Sequence, residues 1–318
     1  MIGEAGGLWH ALGMDRITKT VLGTIGAGAA VGAACLAYGA GYEVRSFRLR
    51  RFDVPVLAPG SRPLRILHLS DLHITPRQRK KSTWVAGLAA LEPDLVVNTG
   101  DNLSHPDALP ILLESYGPLF DFPGVFVFGS NDYYAPRFRS PLRYLYDRRR
   151  PELRPTTSLP YQEVSKRLQE AGWLDLNNAR GELTVDDRRL VFAGVDDPHI
   201  GWDDYSAVGG PPDPGADLPI GVAHAPYQRV LDAMAHDGYP LLLAGHTHGG
   251  QVCVPGYGAL VTNCDLDGKR AKGVSRWRDS WLHVSAGLGT SPYAPYRFAC
   301  PPEATLLTLR GSDQARPD

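Results

Sequence analysis

The chain has 318 residues, with 33 Lys and Arg against 34 Asp and Glu and a formal net charge of −1. That balance excludes a global pull toward polyanions, so no nucleic-acid partner is expected, and the length fits an N-terminal extension followed by one large α/β domain of roughly 260 residues. The four cysteines, Cys35, Cys253, Cys264 and Cys300, are scattered without a C-x-x-C pair, which argues against a zinc ribbon or a disulfide framework and leaves open a bridge between two of the last three in an oxidising compartment.

Residues 1–20 form a short tail. Residues 21–42 carry no charge, and a helix of that length spans the roughly 30 Å hydrocarbon core of a bilayer. The segment reads as a single-pass membrane anchor, with a cleaved export signal and a buried soluble helix as the other readings. Small residues from Ala37 to Ala40 would suit a signal peptidase, whereas Gly32 disfavours a lipoprotein signal at Cys35. Gly28-Ala29-Ala30-Val31-Gly32 would allow close helix packing in a membrane. Arg16 and Lys19 precede the segment and Arg45, Arg48, Arg50 and Arg51 follow it. This count favours a cytoplasmic catalytic domain, but no twin-Arg pair is present and the side of the membrane stays open.

Residues 43–63, with Pro55, Pro59, Gly60 and Pro63, read as a linker, residues 64–310 as the main domain, and residues 311–318 as a C-terminal tail. Strand-like runs occur at Ile66–Leu69, Leu95–Thr99 and Val125–Phe128, with a helix at Ser82–Leu91 closed by Pro93. A Pro- and Arg-rich insertion occupies Tyr133–Pro160, and a helix is predicted over Tyr161–Ala171. Strands follow at Leu190–Gly194, Ile220–Ala223 and Leu241–Ala244, with a helix at Tyr227–His236. Runs at Gln251–Val254, Leu282–Ser285 and Thr305–Leu309 are expected to complete a second sheet. The order supports two mixed sheets covered by outer helices.

A short polar motif follows each of five apolar runs: Asp71-Leu72-His73, Gly100-Asp101, Asn131, His224, and Gly245-His246-Thr247-His248-Gly249-Gly250-Gln251. The C-terminal ends of buried strands are where open α/β sheets carry their chemistry. Carboxylate, amide and imidazole groups together suit Mn, Fe, Zn or Co, and the lack of thiolates argues against a soft-metal site. His246 and His248 alternate, which in an extended segment points both to one face. Taken singly, Asp71 and Asp101 could cap helices and His224 could be a turn histidine.

From about Arg65 to Arg310 this ordered set resembles the calcineurin-like metallophosphoesterase superfamily, whose motifs are D-x-H, G-D, G-N-H-D/E, a lone His and G-H-x-H. Together with Gly287-Leu288-Gly289-Thr290-Ser291, it is similar to the branch of small membrane-anchored bacterial phosphodiesterases, near the UDP-diacylglucosamine pyrophosphohydrolases. The resemblance implies a four-layer αββα sandwich and two divalent metal ions. It implies that Asp71, His73 and His248 hold one ion and Asn131, His224 and His246 the other, with Asp101 bridging both. A hydroxide shared by the two ions would be the nucleophile of an in-line displacement.

One motif departs from the family. The chain has Gly129-Ser130-Asn131-Asp132 where relatives have Gly-Asn-His-Asp, and two registers align. Matching the glycine puts Ser130 at the ligand position and Asn131 at the histidine. Counting from Gly124 keeps Asn131 as ligand and places Asp132 at the histidine, which is preferred because an amide oxygen is the better neutral ligand. In either register the usual histidine is missing. Asp132 then becomes the candidate acid, or the substrate has a good leaving group such as a phosphoanhydride.

Asn102 and His105 are candidate substrate contacts, as are Arg137 and Arg139 at the start of an insertion holding seven arginines between 137 and 154. Its Arg and Tyr side chains suit an anionic substrate or a lipid headgroup region, although such charge runs are often solvated loop. The expected function is a phosphodiesterase or pyrophosphohydrolase acting at the cell membrane on a phosphorylated small molecule or a lipid-linked or envelope phosphate. A phosphomonoesterase and a non-catalytic scaffold are the alternatives.

Overall fold

The computed structural model describes residues 5–136 and 157–314, with side chains at 18–136 and 157–313. Arg137, Arg139 and the rest of the basic insertion to Arg154 lie outside the described residues. The first helix, α1 (Ala5–Gly41), is long and apolar enough to cross a membrane, with mean hydropathy 1.7 in a stretch of which nothing is buried against the protein. A helix in the core of this domain would bury that stretch, so α1 is not a core helix of the described domain.

Residues 43–63 hold more than a linker. Strand β1 (Arg48–Leu57) pairs in parallel with β14 (Glu303–Gly311) from Arg48 opposite Glu303 to Val54 opposite Leu309. The run Arg-Leu-Arg-Arg-Phe-Asp-Val-Pro-Val-Leu alternates poorly and contains Pro55. An edge strand tolerates both, because only one row of its backbone groups needs partners. The domain therefore begins before residue 64.

Next come β2 (Leu64–Leu69), α2 (Arg79–Ala86), β3 (Leu95–Asn98), α3 (Leu109–Tyr116), β4 (Gly124–Phe126), α4 (Tyr161–Glu170) and β5 (Leu174–Asp175). The second half contributes β6 (Ala179–Val185), β7 (Arg188–Val195), β8 (Leu218–Ala223), α5 (Gln228–Asp237), β9 (Leu241–Ala244), β10 (Cys253–Val254), β11 (Gly258–Ala259), β12 (Gly273–Trp277) and β13 (Ser280–Val284). One six-stranded sheet runs β1-β14-β2-β3-β4-β5 and the other β12-β13-β9-β8-β7-β6. The run Thr305–Leu309 thus belongs to the first sheet, where it is antiparallel to β2. Gln251–Val254 supplies only β10, half of a small ribbon with β11.

Side-chain alternation builds the layers. Ile66, Val97 and Val125 of the first sheet meet Phe192, Ile220 and Leu243 of the second in one core. On the opposite face, Leu67, Leu69, Val96 and Phe126 pack against helical residues such as Val85, Leu112 and Leu168. Leu242 and Leu282 pack against Val230, Leu231 and Met234 of α5. The result is the αββα sandwich, and it brings the C-terminal ends of β2, β3 and β4 near those of β8 and β9.

Candidate metal centre

The backbone turns left-handed where the sandwich presents its polar side chains. Asp71, His73, Asp101, His246 and His248 have φ between 44° and 69°, a region that costs a non-glycine residue about 1 kcal/mol or more and persists where the surroundings enforce it. These short reversals after each strand turn the side chains inward. Asp71, His73 and His248 converge with ligand-capable atoms all within 4.8 Å of one another, and so do Asp71, Asp101 and His224. Asp101 Oδ2 lies 3.4 Å from His73 Nε2 and 3.6 Å from His224 Nε2, which puts one carboxylate oxygen between the two groups. Asn131 is also brought in, with its backbone N donating to Asp101 Oδ1 (2.7 Å) and its Nδ2 to Oδ2 (2.9 Å).

The neighbouring carbonyls fix the imidazoles. His224 Nδ1 donates to Thr99 O (2.6 Å), His246 Nε2 to Asn263 O (3.2 Å) and His248 Nδ1 to Gly289 O (3.1 Å). A carbonyl only accepts, so the remaining nitrogens of neutral rings point lone pairs into the site. His246 Nδ1 then faces His224 Nε2 at 3.3 Å, and His248 Nε2 faces His73 Nε2 at 3.2 Å and Asp71 Oδ1 at 3.6 Å. Asp71 Oδ1 is buried without a hydrogen-bond partner. Electron-rich atoms gathered this closely need protons or cations among them, and the carboxylate and imidazole donors fit divalent ions.

Protonation of the metal-free site follows the same logic. Burial pushes the Asp71 carboxyl up to about 6 and His73 down to about 4, and it holds His246 and His248 well below the usual imidazole range. For His224, burial opposes charge, but Asp101, Asp197 and Asp71 outweigh it and raise the ring to about 9. Burial would also raise Asp101, yet His224, His73 and two hydrogen bonds from Asn131 keep it ionised below the usual carboxylate range. His224 is therefore the group that carries a proton when no cation is present.

Gly129 shows how tightly the site is built. A Cβ there would lie 2.4 Å from Asp101 Oδ1 and 2.5 Å from His224 Nε2, so close approach of backbone to site requires glycine.

Two sequence expectations need correction. Asp132 is fully buried and accepts from the backbone N of Asp101 (2.7 Å), Asn102 (2.9 Å) and Gly129 (2.9 Å), and from Asn102 Nδ2 (2.9 Å). Both carboxylate oxygens are spent on holding the Asp101 turn, so Asp132 does not occupy an open histidine position. Asn102 is likewise buried, its Oδ1 accepting from Tyr116 OH (2.6 Å) and Asn98 Nδ2 (3.0 Å), and it orders the turn instead of facing substrate. His105 is half-exposed and its Nδ1 accepts from Asp107 N (3.1 Å), capping the short turn Pro106–Ala108.

Other contributors were invisible in the sequence. Ser70 Oγ donates to Asp71 Oδ2 (2.6 Å), and the His199 ring centroid lies 4.4 Å from that of His246. Asp197 is buried with Oδ2 unpartnered, and burial lifts its carboxyl to about 7. Arg297, fully buried, donates to the carbonyls of Ala286 (2.7 Å) and Gly289 (2.7 Å) and so braces the loop that holds His248. For Ser70, Asp197 and His199 the only signal was a polar residue close behind an apolar run, and Arg297 carried none.

The calcineurin-like phosphoesterase family model matches residues 64–250. An uncharacterized metallophosphoesterase of Bacillus subtilis is 25% identical over 94% of this chain and 98% of its own length. The phosphodiesterase YaeI of Escherichia coli is 26% identical over 83% of this chain and 88% of its own. A bovine transmembrane protein with a metallophosphoesterase domain is 28% identical over 82% of this chain and 56% of its own.

Proposed function

Because the chain belongs to the calcineurin-like phosphoesterase family, and so is a hydrolase of phosphoric ester bonds, we propose that it acts through two divalent ions on a phosphodiester or pyrophosphate, lipid-linked or derived from the envelope. The observation that carries this reading is the place of Asp101 Oδ2 between the His73 and His224 nitrogens. Asp71, His73 and His248 would hold one ion, and His224, His246 and Asn131 the other, with Asp101 shared. When bound, such ions polarise phosphoryl oxygens and acidify water.

The chain's own groups set the rest. Thr99, Asn263 and Gly289 carbonyls orient the histidines, and Asp132 fixes the backbone that carries Asp101. Asn131 stands on Asp101, with Ser130 Oγ 3.4 Å from its amide nitrogen, and neither residue donates a proton readily near neutral pH. A leaving group that departs without strong protonation, as in an anhydride, matches that deficit. The candidate membrane helix and the phosphodiesterase named among the relatives favour a diester or anhydride at the bilayer over a soluble monoester.

The test is hydrolysis by the full-length chain in detergent, with bis-p-nitrophenyl phosphate compared with p-nitrophenyl phosphate, with and without added manganese, zinc, iron or cobalt. His248→Ala serves as control, and bound metal is quantified in parallel. Metal-dependent diester turnover that disappears together with bound metal in His248→Ala supports the reading. Preference for the monoester would replace it with a phosphomonoesterase. Absence of bound metal in a folded chain would sink it.

A further inference from the structure

The domain touches α1 inside the uncharged stretch. Arg297 N donates to Gly39 O (3.3 Å), and a Cβ at Gly39 would lie 2.5 Å from Arg297 O. The Tyr38 and Phe298 rings meet edge to face with centroids 6.3 Å apart. Buried Glu43 accepts from the backbone N of Ala299 (3.1 Å) and Cys300 (2.6 Å). Tyr38 stands one helical turn, about 6 Å, before Tyr42 at the end of that stretch. If α1 crosses a membrane, Phe298 sits at the depth of its aromatic boundary.

The loops joined to Phe298 are unlike the rest of the surface. Val252 bridges Phe298, Cys253 N donates to Phe298 O (2.8 Å), and Gln251 Nε2 donates to Ala294 O (3.0 Å). Residues 251–264 and 284–296 contain no charged residue in a chain that is 21% charged. Yet they expose Tyr257 (73%), Leu260 (57%), Tyr293 (49%) and Val254 (43%). Large apolar groups gathered in charge-free loops beside an apolar helix cost free energy in water and gain it in a headgroup region, where Tyr keeps its hydroxyl hydrated.

We propose that these two loops form a membrane-seated rim, continuous with α1, that dips into the bilayer interface beside the metal centre and admits phosphates carrying acyl chains. The proposal rests on the phosphohydrolase reading above only for its substrate, since the seating itself is independent of chemistry. Arg297 links rim and site: its backbone docks on α1 while its Nη1 donates to His248 O (3.4 Å). An acyl chain left in the bilayer would thus bring its phosphate to the His248 side of the centre without leaving the membrane.

The test uses the full-length chain in nanodiscs. Tyr257→Trp and Leu260→Trp are compared with the unmodified chain in bilayers with and without bromine on the acyl chains near the headgroups. The added tryptophan emission should be quenched about twofold or more, and unquenched emission from both variants overturns the rim. In the second arm, Tyr257→Asp combined with Leu260→Asp should lower turnover of the p-nitrophenyl ester of phosphatidic acid in nanodiscs about tenfold, a difference of roughly 1.4 kcal/mol. Turnover of soluble bis-p-nitrophenyl phosphate should stay within about twofold. An equal fall on both substrates would mean that the loops shape the centre itself, which refutes the rim. A chain that hydrolyses neither substrate refutes the phosphohydrolase reading, and quenching then still decides the seating.

Discussion

His68 and His283 form a buried imidazole pair between the two sheets, and acid should unfold the domain through it. His68 Nδ1 lies 2.8 Å from His283 Nδ1 and its Nε2 lies 2.9 Å from Thr99 Oγ1. Burial lowers His68 to about 3, against about 6.5 for an unfolded histidine. The unfolded chain therefore binds the extra proton first as pH falls. Stability from a neutral His68 is complete above about pH 6.5 and drains away between there and about pH 3, to a limit of about 5 kcal/mol. From pH 7.5 to pH 5 the loss from this group works out at about 2 kcal/mol. His68→Gln keeps an amide for Thr99 and His283 but cannot titrate in this range. Urea unfolding of the full-length chain in detergent, with chelator present, should show that the glutamine variant starts weaker at pH 7.5. It should then lose about 2 kcal/mol less than the unmodified chain by pH 5. Equal losses in the two proteins would refute the assignment of a buried neutral imidazole at position 68.

Gly129→Ala should weaken metal retention and turnover on the order of 10- to 100-fold, since its methyl would press on Asp101 and His224; unchanged bound metal by mass spectrometry would show that the turn can yield. Asp132→Asn places an amide nitrogen against backbone donors, so it should cost about 1–3 kcal/mol of stability and loosen the metal. A shifted pH–rate limb at undiminished stability would instead make Asp132 a proton donor. Affinity for manganese should fall as pH drops, because cations compete with protons on His224, raised to about 9, and on Asp71, raised to about 6. Calorimetry in buffers of different ionisation enthalpy should detect proton release, and a pH-independent affinity would argue against both ligands.

Asp71, His73, Asp101, His224 and His248, which converge as candidate ligands, stand out in the sequence because they follow apolar runs, and burial on both faces makes such strands easy to read. Strands with mixed faces were not legible. The alternately exposed β6 and the Arg-rich β1 lack that signature. Alternation also tells which face a residue takes but not which strand lies beside it, so the run Thr305–Leu309 does not announce its place between β1 and β2. Asp132 and Asn102 were misread for a related reason. A carboxylate and an amide near a catalytic motif look functional in sequence, and only the backbone donors wrapped around them reveal that they serve the turn. Arg297 gave no hint, since nothing local distinguishes a fully buried arginine from a surface one.

The pairing of β14 between β1 and β2 also bears on how the chain comes to be made. Both neighbours are synthesised long before β14, so the first sheet stays open along a β2 edge until residues 303–311 have left the ribosome. For most of its birth the nascent domain is a set of unfinished strands with exposed amide edges, prone to sticking to one another. Closure of the first sheet is thus a late event that joins one of the last segments made to two of the first, a pairing across roughly 250 residues of chain.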